Sequence, residues 1–138
     1  MILDEMTVSL GKKRGRPAET DGFLEKKPSK KVLATGAEGH LEAPYIWDYD
    51  NEILYDEDDF PVSLDLGAQV DGYAAGYNDS DSVLRLYITV WFEGPDGTTC
   101  GENSYNAAIN PGVAIGIFTE PIILTKPGTW KLHALLEV

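Results

Sequence analysis

The sequence predicts an all-β domain of the two-sheet sandwich type, with an extended basic arm at its N-terminus. Three observations predict it. Apolar and polar residues alternate at period 2 in several stretches beyond residue 60, the pattern of strands with one buried and one wet face. Turn-forming clusters of Gly, Pro, Asn and Asp separate those stretches. The body holds no ten-residue amphipathic stretch at helical spacing.

The chain has 138 residues, 43% of them hydrophobic, which suits one domain with a real core plus a tail. Its net charge of −12 is unevenly placed. Residues 1–31 hold eight of the eleven Lys and Arg and five of the twenty-three Asp and Glu, a balance of +3, which leaves −15 for residues 32–138. Such asymmetry predicts a basic arm on an acidic body, the body being repelled by nucleic acid and anionic membrane.

Residues 1–31 show no sustained period and contain Gly11, Gly15, Pro17, Gly22 and Pro28. They are expected to form a flexible arm, with a short helix near residues 19–27. Residues 32–138 are expected to fold without it. Tyr45, Trp47, Tyr49 and Tyr55 interleave with acidic residues, which suggests a strand or edge with one aromatic face. Because Tyr and Trp are enriched at interfaces, Tyr45, Trp47 and Tyr49 are candidate partner contacts.

Val62, Leu64, Leu66, Ala68 and Val70 alternate with polar residues and predict a strand. After Gly72 the apolar set moves to Tyr73, Ala75 and Tyr77, a phase change that suggests a bulge or a new strand. Asn78-Asp-Ser-Asp-Ser82 predicts a turn. Leu84, Leu86, Ile88, Val90 and Phe92 form the buried face of the next strand, with Trp91 on the other face. In Gly94-Pro-Asp-Gly97 the proline presets φ and Gly97 tolerates positive φ. Val113, Ile115 and Ile117 predict a third strand, and Ile122–Leu124 a short apolar run. After Lys126-Pro-Gly128, residues Trp130, Leu132, Ala134, Leu136 and Val138 predict the last strand.

Asp65-Leu-Gly-Ala-Gln-Val70, Asn78-Asp-Ser-Asp81 and Tyr87-Ile-Thr-Val-Trp-Phe-Glu-Gly-Pro-Asp-Gly97 together resemble immunoglobulin-like modules of the fibronectin or CARDB kind. Pro127-Gly-Thr-Trp-Lys-Leu-His-Ala134 is similar to a late strand of such modules. The resemblance covers residues 60–138 and implies an immunoglobulin-like sandwich. Those modules usually continue for one more strand, so a jelly roll is the alternative.

Lys12-Lys13-Arg14-Gly15-Arg16-Pro17 resembles an AT-hook. That resemblance implies contact with the narrow minor groove of A·T-rich DNA, where arginines meet an enhanced negative potential. Lys26, Lys27, Lys30 and Lys31 add positive charge without aromatic residues for base stacking. The plainer alternative is a solvated arm attracted to any acidic surface. Asp48, Asp50, Glu52, Asp56 and Asp59 fall at positions 1, 3, 5, 9 and 12 of a calcium loop, but Ile53 stands where an EF-hand turn needs glycine.

Enzyme chemistry is not expected. His40, placed in a Gly-rich connector, and His133 have no partner by motif, and Cys100 has no nucleophile signature. There is no P-loop and no GxGxxG, so no cofactor is implied. The first six residues lack the basic and apolar regions of a secretory signal, so synthesis in a cytoplasm is expected. The expected role is that of a structural or assembly protein, such as a virion decoration or capsid-associated subunit, whose arm contacts neighbouring subunits. The alternatives are a DNA-associated protein tethered by its arm and a calcium-assisted adhesion module.

Overall fold

The computed structural model describes residues 1–10, 38–60, 62 and 64–138, together with the backbone of residues 24–26. Its strands are β1 (Ile2–Leu10), β2 (Leu24–Lys26), β3 (Gly39–Asp48), β4 (Ile53–Tyr55), β5 (Gln69–Asn78), β6 (Leu84–Glu93), β7 (Thr99–Ile109), β8 (Ala114–Phe118), β9 (Ile122–Ile123) and β10 (Trp130–Glu137). No described residue is helical. The strands form two antiparallel sheets, ordered β2-β1-β10-β6-β7 and β4-β3-β5-β8, with β9 pairing β5 beyond β8. The predicted two-sheet sandwich is therefore what forms. Its first and last long strands, β1 and β10, are hydrogen-bonded neighbours. In a constant-type immunoglobulin sandwich those two strands belong to opposite sheets.

The core lies between the sheets in two clusters. One joins Leu3, Met6, Leu41, Leu86, Ile88, Ile115 and Leu136, and the other joins Val8, Leu10, Ile46, Val70, Phe92, Trp130 and Leu132. The alternations in β6 and β10 are legible because every inward position is apolar and, Ala134 apart, large. Leu86, Ile88, Val90 and Phe92 are fully enclosed.

Several expectations fail for identifiable reasons. Ile2–Leu10, expected in the arm, is a full strand paired with both β10 and β2. Its alternation is masked because Asp4 takes an inward position beside a register shift. There the carboxylate is buried, and it accepts hydrogen bonds from the Leu41 amide at 2.8 Å and the Glu5 amide at 2.9 Å. The first of these ties β1 to β3 across the sandwich. Residues 24–26, expected near a helix, are the short strand β2.

The strand expected over residues 62–70 begins only at Gln69. Asp65–Ala68 forms a turn closed by Ala68 N donating to Asp65 O, with Gly67 at φ +91°, which leaves Leu66 exposed. The phase change after Gly72 does not occur either. β5 keeps its even residues inward throughout, and the central three, Gly72, Ala74 and Gly76, are small. A Cβ at Gly72 would stand 2.7 Å from a methyl of Leu132, and one at Gly76 would stand 2.5 Å from a methyl of Leu136. The leucines of β10 fill the space that glycine leaves, and the aromatic residues of β5 face outward.

Two turns behave as expected. Gly97, at φ +87°, donates to Gly94 O at 3.0 Å. The Asn78–Ser82 turn is organised by the buried Asn78 side chain, which donates to Ser82 O and Ile109 O and accepts from the Ser80 amide and hydroxyl.

Gly76→Val should lower stability by about 1–3 kcal/mol through overpacking. Leu136→Ala in that background should recover part of the loss, giving a measurable coupling in a double-mutant cycle read by chemical denaturation. Removing residues 1–10 strips four enclosed side chains, Leu3, Met6, Val8 and Leu10, from the core. Each buried apolar side chain contributes about 1.5–3 kcal/mol, so the shortened chain should lose its cooperative melting transition, as followed by circular dichroism.

Candidate functional site

The outer face of the second sheet collects most of the aromatic residues that the core does not use. A bulge in β3 makes this possible. Between the pairs Glu42↔Ala75 and Tyr45↔Tyr73, β3 has one residue more than β5, and Ala43 in the bulge sits at φ +59°. The extra residue, placed just before Pro44, switches the parity of the strand. Leu41 and Ile46 both point inward, and Tyr45, Trp47 and Tyr49 consequently lie on the outer face.

Register then builds rows across the strands. Tyr45, Tyr73 and Phe118 occupy paired positions on β3, β5 and β8. Their ring centroids are 5.7 Å apart for Tyr45 and Tyr73 and 4.7 Å apart for Tyr73 and Phe118. The Tyr73 ring lies across Gly116, where a Cβ would collide with the phenol. The next row is Leu54, Trp47 and Asp71. Trp47 meets Tyr49 edge to face at 6.3 Å, and Leu54 and Phe118 are each about half exposed. At the far end His40 stacks on Tyr77 at 4.9 Å.

Two titratable groups mark this face. Asp71 is 7% exposed; its Oδ2 accepts the Tyr49 hydroxyl at 2.6 Å, and its Oδ1 has no hydrogen-bond partner. Burial pushes its carboxyl above the usual aspartate range, opposed by the Tyr49 hydrogen bond. His40, in β3 rather than a connector, is held between Asp79 and Glu42. Burial lowers its pKa, but hydrogen bonds and charge attraction from the two carboxylates outweigh that and raise it above 6.5.

The face is acidic. Among the described residues it carries no Lys or Arg. Arg85 and Lys131 lie on the outer face of the first sheet, Lys126 pairs with Asp96 at 3.2 Å, and Lys26 belongs to β2.

The other sequence candidates are placed differently. The calcium-spaced residues do not converge. Asp48 is buried and accepts from the amides of Asp50 and Asn51 and from the Asn51 side chain, while the Asp59 carboxylate accepts from the Asp56 amide and the Asp56 carboxylate from the Asp58 amide. Glu52 occupies a positive-φ turn position. Among the described residues no group of three or more His, Cys, Asp or Glu could hold a metal ion. Lys12, Lys13, Arg14, Gly15, Arg16, Pro17, Lys27, Lys30 and Lys31 lie outside the described residues, as does the side chain of Lys26.

One arrangement had no signal in the sequence. His133 stacks on Trp91 and joins Thr7 Oγ1 at 2.9 Å to Glu93 Oε1 at 2.7 Å through its two ring nitrogens. Strand register alone brings these three together across β1, β10 and β6. The connectivity is that of a nucleophile, base and acid. However, β1 is paired on both sides at Thr7, which commits its amides to the ladders rather than to an oxyanion. Burial pushes the Cys100 thiol up, away from the thiolate form a nucleophile needs.

Fold and face together define an antiparallel β-sandwich with an acidic, aromatic outer surface. No family model, curated protein or solved structure matches the chain.

The raised pKa of His40 has a signed consequence. A histidine whose folded pKa exceeds its unfolded value contributes stability that is full below the unfolded pKa and lost as pH rises through the folded one. The stability difference between the native chain and His40→Gln should therefore be largest below about pH 6.5 and shrink at alkaline pH, as measured by thermal melts across that range.

Proposed function

We propose that this chain is a non-enzymatic assembly subunit whose acidic sandwich docks a neighbouring protein subunit through the aromatic face of its second sheet. The observation that carries this reading is the Tyr45–Tyr73–Phe118 row with Trp47 and Leu54 beside it. Large, part-exposed aromatic side chains on rigid strands are what interface cores use as anchors. They lose little conformational freedom on binding, because their neighbours already hold them.

Charge supports a protein partner over nucleic acid at this surface. Residues 1–31 carry +3 against −15 for the remainder, so one copy's basic segment is attracted to another copy's body. The contact is heterologous and can propagate into a ring, shell or filament. Incorporation into a larger particle such as a virion belongs to the same reading. A second reading rests on Lys12–Pro17, whose resemblance to an AT-hook favours a DNA tether acting alongside the sandwich.

Native mass spectrometry and light scattering test this on the full chain. The native protein should form species larger than a monomer. Trp47→Ala should shift the assembly equilibrium by about thirtyfold, the effect of losing an anchor worth about 2 kcal/mol. A monomer at high concentration in both proteins would remove self-assembly, and a shift seen only with A·T-rich duplex would favour the tether.

A further inference from the structure

We propose that the face reads a positive charge: an arginine or lysine on an extended segment of a protein partner seats over Trp47 and pairs with Asp71. This rests on the assembly reading and names the chemistry of its partner. Asp71 is more than nine-tenths buried, yet one of its carboxylate oxygens has no hydrogen-bond donor. Buried polar groups are nearly always satisfied, and an orphaned carboxylate oxygen is among the more costly exceptions. The protein supplies one donor, the Tyr49 hydroxyl, and leaves the other oxygen for something else.

The neighbours fit a cation. Trp47 stands directly opposite Asp71 in the β3–β5 ladder, and directly paired side chains lie about 5 Å apart at Cβ. A guanidinium can lie over the indole and still donate to the adjacent carboxylate, combining a cation–π contact with a charge-assisted hydrogen bond. Asp71 Oδ1 is enclosed as well as unpartnered, so the proposed cation reaches it only when the Tyr49 ring, 38% exposed and bonded to Oδ2, moves aside. A neutral donor such as a sugar hydroxyl would satisfy the oxygen but leave the charge of the face unanswered. With Glu42 on the same strand and no Lys or Arg on this face among the described residues, complementarity calls for positive charge.

The test uses the full-length protein and a fluorescein-labelled synthetic peptide with the sequence of residues 11–31, followed by fluorescence anisotropy at physiological salt. That peptide carries eight Lys and Arg, and a second peptide replaces all eight with Gln. The native peptide should bind at least about tenfold more tightly than the Gln peptide, the scale of one charge-assisted hydrogen bond. Asp71→Asn should weaken binding about tenfold or more. Asp96→Asn removes the same charge from an exposed turn and should change affinity by less than about twofold, as rim charges do.

Equal losses from the two substitutions would overturn the proposal in favour of diffuse attraction. Absence of binding by the native peptide would overturn it as well. Equal binding of both peptides would overturn it while leaving the aromatic docking face intact, since loss of assembly in Trp47→Ala reports that face independently. Thermal melting confirms that Asp71→Asn is folded, and the peptide comparison on the native chain decides the matter if it is not.

Discussion

The structure turns on the interlock of two leucines with two glycines. β10 lies in the middle of the first sheet and β5 between β3 and β8 in the second. Leu132 and Leu136 project from β10 into positions that Gly72 and Gly76 leave empty on β5. Protein interiors have little spare volume, so the contact fixes how the two central strands lie against each other. β1 and β6 are registered on β10, and β3, β8 and β9 on β5; β2, β7 and β4 pair with β1, β6 and β3 in turn. The interlock also decides what the outer surface is. With even positions of β5 committed to small inward residues, Asp71, Tyr73 and Tyr77 must face out, because side chains alternate strictly along a strand.

This explains which parts were legible in the sequence. β6 and β10 announce themselves because their inward residues are apolar and, Ala134 apart, large. Hydrophobicity does not reveal the buried face of β5, because its central inward residues are Gly72, Ala74 and Gly76 while Tyr73 and Tyr77 face outward. β7, Thr99–Ile109, gives no signal because it is an edge strand, polar on both faces for most of its length. β1 was hidden by Asp4 and by its position next to the basic stretch. Within the candidate face, Tyr45, Trp47 and Tyr49 were visible from their own alternation. Asp71, Tyr73 and Phe118 were not, since they join that group only through pairing across β5 and β8.

The bulge in β3 matters as much to the face as the glycines of β5. Were the same residues paired regularly, with no bulge, the strand would keep one parity from Leu41 onward. Tyr45 and Trp47 would then point into the core, and Ile46 would point to solvent. The molecule holds a non-glycine residue, Ala43, at positive φ to achieve the switch, a conformation that costs of order 1 kcal/mol. The Leu41 amide beside the bulge bonds to Asp4 from the opposite sheet, so the segment is anchored at the place where it is strained. The same hydrogen bond satisfies the second oxygen of the buried Asp4 carboxylate, whose first accepts from the Glu5 amide.

The two outer surfaces end up chemically distinct. The first sheet carries both signs of charge, with Arg85 donating to Asn106 and His133 joining Thr7 to Glu93, and with Lys131 also on its outer face. The second is aromatic and acidic, and among its described residues Asp71 carries a buried oxygen, Oδ1, without a hydrogen-bond partner. Net charge cannot by itself select a partner for it, because attraction between exposed charges fades within about 8 Å at physiological ionic strength. Selectivity has to come from groups that are desolvated at the point of contact. On this face, among the described residues, the enclosed carboxylate of Asp71 beside Trp47 and Tyr49 is the group that meets that condition.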